Sequence, residues 1–235
     1  MKTPILSQII RLLTFRLRRA EFLALDRRFL WVGIIATWIV GMGRYWDDPG
    51  AKLLQHLGLG SVIYIFALSL LIYLVVWPFR RPDWTYESVL TFVSLTSFPA
   101  ILYAIPVERF FEMSMAATMN VWFLAIVAAW RLALLFYFLA VFTRLPIIYM
   151  ITNALLPVVL IIVVLTALNL ERAVFNIMAG IEAGTANDDA YAVLIGLTVV
   201  SMFLAPILLL VYGIGVHQER KKRLSSGQTE ETYEK

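Results

Sequence analysis

The chain has no cysteine, only two histidines, and charges on just 15% of its 235 residues. Without thiols it has no disulfide, no thiolate nucleophile and no cysteine metal centre. His56 and His217 are far apart, and no His-Glu-x-x-His pair exists to bind zinc on one helix face. The segment Gly58-Leu59-Gly60-Ser61 is not the Gly-x-Ser-x-Gly elbow of hydrolases. It also lacks the lysine of a phosphate-binding loop. The sequence therefore predicts no catalytic set, no metal centre and no cofactor. The shortage of charge excludes an ordinary soluble domain, in which about a quarter of residues are charged.

What the chain has instead is apolar surface: 61% of residues are hydrophobic and the mean hydropathy is +0.81. The fold class predicted is all-α, a polytopic transmembrane bundle of about six spans. The runs are 29–45, 59–79, 88–107, 116–143, 146–168 and 190–215, each near the ~20 residues that cross a bilayer. They form one membrane domain over 29–215, with no length left for a separate soluble domain. Residues 1–28 are read as a basic amphipathic helix lying on the cytoplasmic face, because Arg11, Arg16, Arg18 and Arg19 interrupt its apolar spacing. No small-residue cleavage site marks that stretch as a signal peptide. Residues 216–235 read as a basic, then disordered, cytoplasmic tail.

The cations orient the bundle. With the N-terminus inside, fifteen of the twenty Lys and Arg fall on the cytoplasmic side. Four (Arg44, Lys52, Arg109 and Arg172) fall outside, and Arg131 lies within a span. This is the positive-inside pattern of an even number of spans with both termini cytoplasmic. The net charge of +4 flanks membrane segments, so anionic lipid is the expected partner and nucleic acid is not.

Three groups of residues stand out. Gly33, Thr37 and Gly41, each four apart, make a smooth stripe for close helix packing. Arg131 is the single charge in a long apolar run and lies about 20 Å from Arg144 along a helix. A charge at that depth faces the protein interior or water. Thr91, Ser94 and Ser97 on the third span and Asn153 on the fifth are its candidate neutral partners. Together they form a candidate polar or lipid-phosphate site, weighed against a purely structural arginine. On the outer face, Asp47, Asp48, His56, Glu108 and Glu112 form a candidate acid–base or metal cluster, although their spacing is no recognised ligand pattern. Trp46, Trp77 and Trp84 fit an interfacial aromatic belt. Pro99 and Pro106 are expected to bend the third span, and Pro206 the sixth.

The run Pro82-Asp83-Trp84-Thr85-Tyr86-Glu87-Ser88-Val89-Leu90, the hydroxyl-rich helix to Ser97-Phe98-Pro99, and Trp130-Arg131-Leu132-Ala133-Leu134-Leu135 resemble bacterial members of the Yip family. The likeness covers roughly residues 60–168. It implies a non-enzymatic helical membrane protein that organises membranes or partners, in a bacterial inner membrane. That family typically has five spans, and this chain departs from it by a sixth. Three functions compete: a scaffold or assembly subunit binding other membrane proteins or a cytoplasmic partner; a permease-like subunit of a lipid-handling ABC transporter, docking an ATPase on loop 80–87; and an intramembrane enzyme using the outer acids and His56.

Overall fold

A computed structural model describes residues 4–46, 53–79, 82–143, 145–170, 174 and 188–233, and every regular element among them is helical. The α-helices are α1 (Ile5–Leu13), α2 (Arg19–Leu23), α3 (Arg27–Gly43), α4 (Leu53–His56), α5 (Leu59–Val76), α6 (Tyr86–Leu95), α7 (Met113–Thr143), α8 (Ile147–Ala167) and α9 (Asp188–Tyr233). Short 3-10 segments run over Trp77–Phe79, Phe98–Ala104 and Val107–Arg109. Among the described residues, five helical stretches are long and apolar enough to cross a membrane: Leu59–Phe79, Tyr86–Ala104, Thr118–Thr143, Ile147–Ala167 and Ala192–Ser225. The first predicted span is the shorter α3. Its 17 residues measure about 25 Å against a hydrocarbon core of ~30 Å.

The stretch Tyr86–Ala104 is the centre of the bundle: 61% of its window is buried, against 22–33% for the other four. Thr85 caps α6 by accepting from the Ser88 N–H. The α-helix stops at Leu95 because Pro99 has no N–H to give and its ring would clash with the Leu95 carbonyl. The chain continues as a 3-10 segment with Pro99 near its start. Hydroxyls take up carbonyls around the break: Thr91 Oγ1 donates to Glu87 O, Ser94 Oγ to Thr91 O and Thr96 Oγ1 to Val93 O, at 2.8–2.9 Å. Pro157 and Pro206, by contrast, lie inside continuous α8 and α9.

Helix α3 packs through its small residues, on α6 at Gly33 and Thr37 and on the start of α5 at Gly41. Gly33, Thr37 and Gly41 are all buried. A methyl at Gly33 would sit 2.8 Å from Ser94 Cβ and still closer to its Oγ. One at Gly41 would sit 2.9 Å from the Gly58 carbonyl and 2.8 Å from Ser61 Cβ. Gly58 itself has φ +64 and packs against the α3 backbone at Trp38 and Met42, so its position needs a residue without Cβ. Between these contacts Thr37 Oγ1 bonds Ser97 Oγ at 2.9 Å and Gly33 O at 2.8 Å. The same seam is pinned at both ends: Arg27 pairs with Glu87 at 3.1 Å, and the Trp46 indole donates to Ala104 O at 3.2 Å. Helix α3 therefore runs the whole length of the Tyr86–Ala104 stretch.

Within the 1–28 stretch expected to lie on the surface as one helix, the described residues before α3 form two short helices packed into the bundle. Helix α1 ends in a Schellman turn: Arg16 N–H reaches Arg11 O, and Phe15 N–H reaches Leu12 O. Phe15 takes the left-handed conformation there, with φ 59, and its ring meets Tyr137 edge-on at 5.7 Å. Leu12 and Leu17 are fully buried and Phe22 nearly so, against Phe92 and Phe138. Where the alternative is water, as for a basic segment leaving the membrane face, burying each such side chain contributes roughly 1.5–3 kcal/mol, well above an exposed ion pair. Trp84, expected in an interfacial belt, is 3% exposed. It packs on Phe138 and Phe142, because the Pro82–Asp83 turn before α6 points it inward. Helix α9 continues to Tyr233.

The α3–α6 seam makes a prediction. Gly33→Val forces α3 off Ser94, and overpacking of this kind costs about 1–3 kcal/mol. In detergent its thermal unfolding should shift down by several degrees. Gly60→Ala, where a methyl meets nothing within 4 Å, should leave the transition unchanged. Equal transitions for both variants would mean α3 is not in contact with α6.

Candidate functional site

The arginines decide where chemistry can sit. At the end where α2 and α9 meet the turn before α6 (the terminal end), Arg11, Arg19, Arg27 and Arg28 make ion pairs with acids. At the other (the distal end), three of them lie on aromatic rings.

At the terminal end, the 78–87 loop is gripped by both ends of the chain. Arg19 pairs with Asp83 at 2.9 Å, Arg27 pairs with Glu87, and Arg223 Nη2 donates to Pro78 O at 3.1 Å. Arg11 forms a bidentate pair with Glu21, whose carboxylate also accepts the Arg18 N–H at 2.7 Å. That backbone bond, aided by Arg11, holds the Glu21 carboxyl below its ordinary value of 4.5. Helix α9 is clamped as it leaves the bundle. Gly215 lets the rings of Tyr149 and Phe79 close on it, Tyr212 donates to Val75 O, and Tyr149 donates to Gln218 Oε1 at 2.8 Å. Beyond the clamp, His217, Arg220, Lys221 and Lys222 are exposed. Arg220 and Arg223 line a groove of about 230 Å³ with Trp77, Pro78 and Val216.

At the distal end, Arg109 lies 4.7 Å from the centre of the Trp46 ring, Arg44 4.9 Å from Tyr103 and Arg131 5.5 Å from Tyr64. Tyr64 is the sixth residue of α5, about 7–8 Å from its distal end. Arg131 reaches it from α7, twelve residues and about 18 Å from the end at Thr143. Its Nη2 is buried and has no hydrogen-bond acceptor among the described residues. Tyr103 lies within electrostatic range of both Arg44 and Arg131.

The predicted neutral partners have hydrogen bonds of their own. Thr91, Ser94 and Ser97 spend their hydroxyls on backbone carbonyls and on Thr37. Asn153, on α8, donates to Tyr149 O at 2.7 Å, and its Oδ1 is buried without a partner among the described residues. The partner that sequence reasoning missed is Tyr64. Its ring was one of many apolar-run aromatics, and only the folding of α5 beside α3 brings it to α7. Trp130, next to Arg131, faces away and donates to Leu13 O at 3.1 Å.

Of the outer-face candidates, Asp47 and Asp48 lie outside the described residues. His56 ends α4, Glu112 is exposed just before α7, and Glu108 lies in the 3-10 turn Val107–Arg109 with its side chain undescribed. Among the described residues no three His, Asp or Glu come together as a metal site. Comparisons with protein-family models, with curated proteins and with solved structures give no match for this chain.

Glu21 supplies a pH test. Its depressed folded value means the stability it contributes is complete above the ordinary glutamate range and is lost as pH falls through that range. Lowering pH from about 6 to about 3 should lower the melting temperature of the wild type more than that of Glu21→Gln. Parallel pH profiles would mean the Arg11–Glu21–Arg18 lock is not formed.

Proposed function

We propose that this integral membrane protein is a non-enzymatic organising subunit of a membrane complex. In this reading it crosses a bacterial inner membrane six times, with α3 as the additional crossing and both termini cytoplasmic. The observation that carries the function is the clamped basic arm. Helix α9 leaves the bundle through a ring clamp and continues from Gly215 to Tyr233, about 27 Å at 1.5 Å per residue. A helix rooted that firmly, with His217, Arg220, Lys221 and Lys222 exposed, presents charge at a set distance and angle, as a docking element does. Anionic lipid on the same face would hold its base.

The crossing of α3 is supported by its contacts from Glu87 to Ala104. The same-side termini are supported by Arg19 and Arg223 meeting the two ends of one short loop. That loop is where a permease would receive its ATPase. Its two acids and the Pro78 carbonyl already hold the chain's own ends, which favours the organising role over the permease. The role also agrees with the expectation drawn from the Yip-like motifs.

Purification in mild detergent from native expression levels, with mass spectrometry of copurifying proteins, tests this. A stoichiometric protein partner is expected with the full chain and should be lost when the chain is truncated after Val216. A clean homo-oligomer with no partner, or a partner retained by the truncated chain, contradicts the role given to the arm.

A further inference from the structure

The positive-inside pattern leaves the distal half of the molecule with few cations, and each one there needs a reason. Among the described residues these are Arg44, Arg109 and Arg131, and all three lie over aromatic rings. The three descend in depth. Arg109 and Trp46 are at the rim, Arg44 follows at the end of α3 over Tyr103, and Arg131 lies deepest, over Tyr64. A ring face offsets part of the cost of a desolvated guanidinium, but it neutralises no charge. Arg131 has no acid within reach among the described residues, and its Nη2 donor points at no acceptor. A cation held in an apolar span in this way requires an anion.

We propose that Arg131, with Tyr64 beneath it, is a binding site for a phosphate-bearing anion that enters from the distal face, its natural source being an anionic phospholipid head group. The chemistry fits. A guanidinium offers paired N–H donors matched to phosphate oxygens, and tyrosine adds a neutral donor that tolerates an apolar setting. Tyr64 is 41% exposed, and Ile63 beside it on α5 is exposed as well. A lipid can therefore approach from the side, with its acyl chains along α5. This site is independent of the arm on α9 and lies at the opposite end of the molecule.

The test uses the full-length chain in detergent. Thermal stability is followed on titration with phosphatidylglycerol, with phosphatidylcholine and with inorganic phosphate, and native mass spectrometry counts retained lipids. Phosphatidylglycerol should raise the melting temperature saturably and remain bound, and phosphatidylcholine should do so less. Arg131→Gln should weaken that response by about tenfold or more. Tyr64→Leu keeps the charge and serves if the first variant does not fold; it should weaken the response by a smaller factor. Arg220→Gln/Arg223→Gln, at the terminal end, should leave the Arg131-dependent part intact even if partner binding is lost. The same shift with inorganic phosphate alone would support the site with a free anion as its ligand. A lipid response unchanged in Arg131→Gln and Tyr64→Leu, or no response to any of the three, overturns the proposal. So does a melting temperature that ignores lipid but falls in Asp47→Asn/Asp48→Asn, since the counter-ion is then the chain's own.

Discussion

The close approach of α3 to α6 is the contact on which the rest of the structure depends. In an apolar solvent two greasy helices gain little from touching, because lipid is as good a neighbour as leucine. Association has to come from contacts that lipid cannot imitate. Gly33 provides one kind by letting the α3 backbone meet the Ser94 side chain at a distance no larger residue allows. Thr37 and Ser97 provide the other with a buried hydroxyl pair. With α3 and α6 locked together, α5 closes on α3 where Gly41 meets Gly58 and Ser61. The aromatic layer of Phe22, Trp84, Phe92 and Phe138 then fills the terminal half beside them.

That layer explains how a strongly basic N-terminal segment comes to be part of a membrane bundle. Leu12, Leu17 and Phe22 go into the aromatic layer. The arginines between them turn outward to Asp83, Glu87 and Glu21, or stay exposed. Apolar burial supplies the attachment. The ion pairs, worth little each, set its register on the 78–87 loop. At the distal end Arg44, Arg109 and Arg131 lie on aromatic rings, and the Arg131 Nη2 has no acceptor among the described residues.

How much of this was legible in the sequence follows from the range of each interaction. Apolar runs and the Gly33-Thr37-Gly41 stripe are local patterns with the helical period, and they appear as helices and as a packing face. Pro99 announced a break in the third span because its effect acts on its own turn. Trp84 and the 1–28 segment read differently in sequence and structure, since an interfacial tryptophan and a core tryptophan look alike until Phe138 and Phe142 are brought alongside. Tyr64 was invisible for the same reason. The hydroxyls of Thr91, Ser94 and Ser97 were visible as polarity, but polarity alone does not distinguish a cavity wall from a seam that uses up its own hydrogen bonds.

The central claim is that α3, although only 17 residues long, passes from one face of the membrane to the other alongside α6, leaving both ends of the chain on one side. A chain without cysteine allows this to be measured directly with a membrane-impermeant thiol reagent on single-cysteine variants. Cysteines replacing Ala20, Pro82 and Gln228 should label only from the cytoplasmic side, and those replacing Leu53 and Phe110 only from the opposite side. Labelling of Ala20→Cys and Leu53→Cys from the same side would show that α3 does not cross, and the account of the seam would fail with it.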